Sequence, residues 1–292
     1  MTVLVIRKPT NLEQHGELVR SQAASGGLDS SQIDILSESH DEHYECVEAV
    51  RQQLSELEIP FVEMQRGDVR PSGKFDAIIS VGGDGTLLSA SHSIEDKTPV
   101  IGFRSSDASV GYLCAGAVSD VPRVLKAYKE GKLVYQERHR IRALVFQAEN
   151  RSQVRTFPVL NDFLYTNSNP ASTTRYRISF NGKVETQKSS GLWLSTATGS
   201  TAAISAAGGQ VLDATDERLQ FVVRELYLFD GLNNQISAGF LQNDEQGLEI
   251  ENHCASGILA LDGERGVIRL KFGDRIKFER ALPIRVAKSP NS

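Results

Sequence analysis

Three glycines surround one aspartate in Gly82-Gly83-Asp84-Gly85-Thr86, where the apolar run Phe75 to Val81 ends. Glycine lets a backbone approach a ligand without a Cβ clash. Exposed N–H groups at the start of a following helix seat a phosphate. The carboxylate is the chemical group of interest. A loop aspartate with a pKa near about 4 is ionised at neutral pH. It can accept the proton of an attacking hydroxyl, as the catalytic-loop aspartate of protein kinases does in phosphoryl transfer. The same residues also read as an ordinary strand–helix turn with Asp84 solvated or capping the helix. On the loop alone both readings stand.

A second segment, Ser195-Thr196-Ala197-Thr198-Gly199-Ser200-Thr201-Ala202, offers five hydroxyls and a glycine between the strand-like Leu192-Trp193-Leu194 and an Ala-rich stretch. Many small donors and acceptors suit sugar and base edges. A plain Ser/Thr helix cap explains them equally. Two glycine-bearing loops, one in each half of the chain, point to a ligand held between domains, a favoured place for one.

The elements that must position these loops change character along the chain. In residues 1–118, strand-like runs (Val3 to Ile6, Phe61 to Met64, Phe75 to Val81, Pro99 to Phe103) alternate with helical ones. Tyr44, Val47, Val50, Leu54 and Leu57 recur at helical spacing over 41–57, closed by Ile59-Pro60. A short helix is expected from Leu87 to Ser93 and another from Asp120 to Glu130. Alternation of this kind predicts a parallel sheet covered on both faces. A loop at the carboxyl end of such a strand lies where open α/β sheets bind ligands. Residues 119–292 are mostly strands broken by turns, with Asn181-Gly182 and Asp262-Gly263 as hairpin signals. One helix is expected from Thr201 to Ala207, stopped by Gly208-Gly209. The prediction is an N-terminal Rossmann-like parallel α/β domain over 1–118 and a mainly β domain, a β-sandwich, over 119–292.

With 292 residues, 40% hydrophobic and 24% charged, the chain can bury a real core. A formal net charge of −5 gives no reason to expect nucleic acid or an anionic membrane as partner. Its apolar runs are too short to span a membrane. Three scattered cysteines, Cys46, Cys114 and Cys254, suggest neither a disulfide framework nor a zinc site. A reduced cytoplasmic protein is the expectation. The histidines are scattered, and His40 and His43 are expected on a solvated face. Arg138 and Arg140 read either as phosphate ligands or as a surface strand.

Together these segments resemble the NAD kinase family through most of the chain. Gly82 to Thr86 is similar to its GGDGT motif and Asn161-Asp162 to its Asn-Glu motif. Ser195 to Ala202 is similar to its STPTGSTA segment, and Leu261-Asp262-Gly263 to its later Asp-Gly turn. GGDGT is shared with diacylglycerol and sphingosine kinases, whereas the combination in this order is specific. The resemblance implies an ATP-dependent kinase acting on the 2′-hydroxyl of the adenosine ribose of NAD or NADH. Asp84 would be its general base. Gly82, Gly83 and Gly85 would leave room for phosphates, with Thr86 supporting the loop. Tyr112 would line the adenine pocket. Asn161 and Asp162 would hold adenine and ribose, and Thr198, Thr201 and Ala202 would contact the dinucleotide. Mg²⁺ would arrive with ATP and lean on substrate phosphates rather than on a protein cage. A homodimer or homotetramer is also implied. The other readings are a non-catalytic dinucleotide-binding regulator and a lipid kinase.

Departures point to the NADH-kinase branch known from plants. Ser190 stands where the family usually has Asp, Ala203 where it has Tyr, and Asp162 where it has Glu. A carboxylate near the nicotinamide favours the cationic oxidised ring, so Ser190 removes that bias. After the strand-like Arg275 to Phe278 no final amphipathic helix is legible. The tail is expected to run extended or to contribute to an oligomer.

Overall fold

The β-branched run at the N-terminus becomes strand β1 (Val3–Arg7), whose first four residues are buried. In this computed structural model residues 1–25, 27, 29–68, 72–228, 234–242 and 247–288 are described. Two compact units emerge: Met1–Glu137 joined by the chain from Ile284 onward, and Arg138–Pro283.

In the first unit, helices α1 (Asn11–Ala24) and α2 (Ser30–Glu56) lead from β1 to β2 (Phe61–Gln65). Then come β3 (Ala77–Gly82), α3 (Asp84–Ser91), β4 (Val100–Arg104), the two-residue β5 (Gly116–Ala117) and α4 (Val121–Lys129). The strands pair in the order β2–β1–β3–β4, all parallel. Val47, Val50 and Leu54 of α2 and Val121, Val124 and Leu125 of α4 join Val5, Ile79, Ile101 and Phe103 in one core. That apolar stripe ties α4 to the first unit, which therefore runs past the change of pattern at 118 to Glu137. α1 was not anticipated, and α2 begins at Ser30 rather than near 41. Their starts are polar devices: Thr10 with Glu13, and Asp29 with Gln32, form capping boxes.

The second unit is mainly antiparallel. One of its layers contains β6 (Tyr135–Phe146), β7 (Gln153–Arg155), β9 (Thr174–Phe180), β10 (Lys183–Ser189), β14 (Glu249–Asn252) and β17 (Arg275–Ala287). The other orders β13 (Ala238–Leu241), β12 (Leu219–Arg224), β11 (Gly191–Ser195), β8 (Asp162–Asn167), β15 (Gly257–Leu261) and β16 (Gly266–Leu270). Tyr176, Ile178, Ile250 and Ile276 of one layer pack with Phe163, Tyr165, Leu194, Phe221 and Leu259 of the other. These are the expected parallel α/β unit and the expected β-sandwich. Both hairpin signals hold: β9–β10 turns at Asn181 (φ 50) and Gly182 (φ 75), β15–β16 at Asp262 (φ 46) and Gly263 (φ 76). The helix expected over 201–207 shrinks to a 3₁₀ turn at Thr198–Thr201 and a four-residue α5 (Ala203–Ala206). The tail runs extended: Val286 pairs in parallel with Val100, and Lys288 N–H donates to Val134 O at 2.9 Å. Among the described residues no helix is long and apolar enough to cross a membrane.

Candidate active site

β3 ends at Gly82, Gly83 is the N-cap, and Asp84 opens α3, whose Thr86, Leu87, Leu88 and Ala90 are buried. Gly82 is required by packing, since a Cβ there would overlap the Thr86 hydroxyl. Asp84 is stitched to the loop before β5. Its N–H donates to Val110 O at 3.1 Å. Its carboxylate accepts from Leu113 N–H at 2.8 Å and Tyr112 N–H at 3.2 Å, one on each oxygen. A carboxylate has about four lone-pair sites, so two remain for a ligand. Partial burial raises its proton affinity above that of an ordinary aspartate, against the two backbone N–H groups that lower it. A carboxylate with raised proton affinity suits proton abstraction. Gly83 and Gly85 flank it, half-buried. Tyr112 contributes its backbone here, while its side chain is 60% exposed.

The solvated-face expectation fails for His43. It is fully buried in the middle of α2, with Nδ1 2.8 Å from Ser105 Oγ, and Ser105 N–H donates to Gly82 O. Burial, with the charges of Lys8 and Arg7, pulls its pKa down to about 4, so it is neutral at pH 7. His40, half-buried, pairs with Thr10 Oγ1 at 2.7 Å. The surface-strand reading of Arg138 and Arg140 fails too. Both are buried on β6, and Arg140 Nε donates to Leu282 O at 2.8 Å.

In the second unit Asn161 and Asp162 meet the 195–202 segment. Thr196 N–H donates to Asn161 O at 2.9 Å and Thr196 Oγ1 to Leu160 O at 2.6 Å. Gly199 lies so close that a Cβ would overlap the Asn161 carbonyl oxygen. Thr198 Oγ1 is buried with no hydrogen-bond partner among the described residues. A buried hydroxyl left unpaired is costly in a native protein and marks a place where a ligand can complete the bond. Thr201 is exposed and Ala202 half-buried, with Ala202 N–H donating to Gly199 O at 2.8 Å.

Asp262 organises this region. From a hairpin turn its carboxylate accepts the N–H groups of Leu160 (3.1 Å), Asn161 (2.8 Å) and Asp162 (3.2 Å). The Asp-Gly hairpin signal located the turn, but nothing in the sequence disclosed that the side chain reaches back a hundred residues. Asp162 is only 5% exposed, and burial followed by the Asp262 charge pushes its pKa up to about 7, against the lowering effect of Arg265.

Ser190 stands apart, just before the opposite end of β11 from this segment. Its carbonyl accepts from Thr166 Oγ1 at 3.0 Å and from Arg224 Nη1 at 3.4 Å. Arg224 was not anticipated; no spacing rule links it to Ser190, because the β11–β12 register brings them together.

Residues 18–133 match the family model described as the ATP-NAD kinase N-terminal domain. Among curated relatives, a probable NADH kinase of Oryza sativa subsp. japonica is 30% identical over 267 residues, covering 83% of this chain and 80% of its own. The NADH kinase of Arabidopsis thaliana is 29% identical over 270 residues, covering 83% and 82%. Among solved structures, yeast NADH kinase complexed with NADH superposes with a TM-score of 0.70 at 17% identity, over 100% of this chain and 84% of that one. An NAD kinase from Archaeoglobus fulgidus in complex with ATP superposes at 0.65 with 18% identity, over 100% and 95%.

Proposed function

Because this chain belongs to the NAD kinase family, we propose that it phosphorylates the 2′-hydroxyl of the adenosine ribose of NAD or NADH with ATP. The ribose oxygen forms a bond to the terminal phosphorus and the bridging oxygen leaves with ADP. Asp84 takes the hydroxyl proton. The observation that carries this reading is the Asp84 carboxylate, fixed at the head of α3 by Tyr112 and Leu113 N–H with raised proton affinity and lone pairs to spare. Gly82, Gly83 and Gly85 give phosphates access to the backbone, and Thr86 braces that turn. Tyr112 lines the adenine side. Asn161, Asp162, Thr198, Thr201 and Ala202 hold the dinucleotide, Thr198 through its unpartnered hydroxyl.

Among the described residues no three His, Cys, Asp or Glu side chains converge as a metal cage. Mg²⁺ in this reading travels with ATP, which fits its habit of binding through phosphates and one or two carboxylates. It would offset the charge developing on the transferred phosphoryl group. The assembly in this reading is a homodimer or homotetramer.

The deciding experiment incubates the protein with MgATP and either NAD or NADH and measures NADP or NADPH. Product from either establishes the reaction. Dinucleotide binding without product would return the non-catalytic regulator.

NADH is expected to serve at least as well as NAD. Ser190 adds no negative charge, and Arg224, which pairs with no carboxylate among the described residues, places a cation beside it. A unit charge about 4 Å from the cationic ring is worth about 4 kcal/mol at an effective dielectric near 20, before desolvation. Ser190→Asp is therefore expected to lower the ratio of kcat/KM for NADH over NAD by about tenfold or more. An unchanged ratio would rule out the electrostatic account.

A further inference from the structure

Lys8 is the first residue beyond β1, and its N–H donates to Val81 O of β3 at 3.1 Å. The strand order β2–β1–β3–β4 places the reversal of connectivity between β1 and β3. Open α/β sheets bind ligands at that switch point, beyond the carboxyl ends of the strands. The residues leaving β1 and β3 there are Lys8 and the Gly82 to Gly85 loop.

The Lys8 side chain is half-buried and forms no ion pair among the described residues; Nζ lies 3.4 Å from Ser109 Oγ. Ser109 Oγ is 3.0 Å from Ser106 Oγ, and Ser109 Cβ would lie 3.1 Å from a Cβ on Gly83. The ammonium and two hydroxyls thus run in one row up to Gly83, against which Ser109 packs. On its other side Lys8 lines a cavity of about 160 Å³ with Thr10, Gln14, His40 and Arg66. Glu42 acts on Lys8 only at longer range, and its carboxylate is engaged by Asp107 N–H at 3.1 Å. The Lys8 pKa is lowered by burial and then by the Arg66 charge. His43, buried nearby, is neutral at pH 7 and brings no negative charge. An anion brought within reach of a half-buried cation favours its charged form.

We infer that Lys8 and Ser109, with Arg66 at the cavity edge, receive the terminal phosphates of the nucleoside triphosphate donor. This rests on the kinase reading above and assigns the donor a seat beside the Asp84 loop. Lys8 would neutralise oxygens that gain charge as the diphosphate leaves.

Wild type, Lys8→Gln and Lys8→Arg are to be compared in two ways: KM for MgATP and for the dinucleotide, and calorimetric titration with inorganic tripolyphosphate. Lys8→Gln is expected to raise the ATP KM and weaken tripolyphosphate binding by about tenfold to a hundredfold, the scale of a lost charge-assisted hydrogen bond. The dinucleotide KM should stay within about twofold, and Lys8→Arg should recover most of the loss. The inference is overturned if wild type does not bind tripolyphosphate, if Lys8→Gln binds it as wild type does, or if both KM values rise together. Tripolyphosphate binding that depends on Lys8, in a protein that makes no NADP or NADPH, would uphold the anion seat and sink the kinase reading instead.

Discussion

Asp84→Asn is expected to lower kcat by at least about a hundredfold, the lower end for a lost general base, while dinucleotide affinity changes little. The amide keeps the size of the carboxylate, and its oxygen can still accept the 2.8 Å bond from Leu113 N–H. It then presents NH₂ to Tyr112 N–H, so one donor loses its acceptor. That local cost, about 1–3 kcal/mol for an unsatisfied N–H, makes a binding measurement with the dinucleotide a necessary control. The pH profile separates base from brace. Catalysis needs Asp84 ionised, so wild-type kcat falls as pH drops through its pKa, which burial places above the ordinary aspartate value. Asp84→Asn should lose that acidic limb along with its rate. A mutant retaining more than about a tenth of wild-type kcat would remove Asp84 from the base role.

The parts of the site legible in the sequence are those built from local rules. An apolar run ending in glycines located Asp84 at a strand–helix junction, and β3 and α3 place it there. Asn181-Gly182 and Asp262-Gly263 located turns because positive φ at both residues needs those side chains. Polar burial was not legible. His43, Arg138 and Arg140 look like surface residues by type, yet all three are buried, and His43 and Arg140 meet Ser105 and Leu282 from distant segments. α1 escaped notice because its apolar positions are sparse. It is held instead by polar ties: Tyr44 Oη donates to Glu13 at 2.6 Å, Arg7 pairs with Glu13 at 2.9 Å, and Thr10 meets His40. The Ala-rich stretch misled in the other direction. Helix propensity predicted continuity over 201–207, but packing against Asn161 tightens the chain into a 3₁₀ turn first. Lys8 and Ser109, 101 positions apart, follow β1 and β4, whose ends the β1–β3 and β3–β4 pairings bring to the same side of the sheet.

Asp162→Asn should make the protein more stable at pH 8 and leave it nearly unchanged near pH 4. Asp162 is buried beside the charged Asp262, and its pKa in the folded state is about 7. In the unfolded chain it returns to about 3.9. Between those values the folded state keeps a proton that the unfolded state has released. Stability therefore falls as pH rises across that window and levels off above it. Roughly three pKa units at 1.36 kcal/mol each give about 4 kcal/mol as an upper scale. Asparagine does not titrate, so the difference in unfolding free energy between wild type and mutant should trace this slope alone. A mutant less stable than wild type at pH 8 would mean that Asp162 is ionised and stabilised by its neighbours, and the coupled-pair account would fall. The pairing is unfavourable for the fold because the Asp262 carboxyl group that accepts three backbone N–H groups lies beside Asp162. A protonated Asp162 can both donate and accept, which an ionised one cannot. Under the proposed function that donor faces the adenosine, so dinucleotide affinity should weaken as pH rises through about 7 in wild type and lose that dependence in Asp162→Asn.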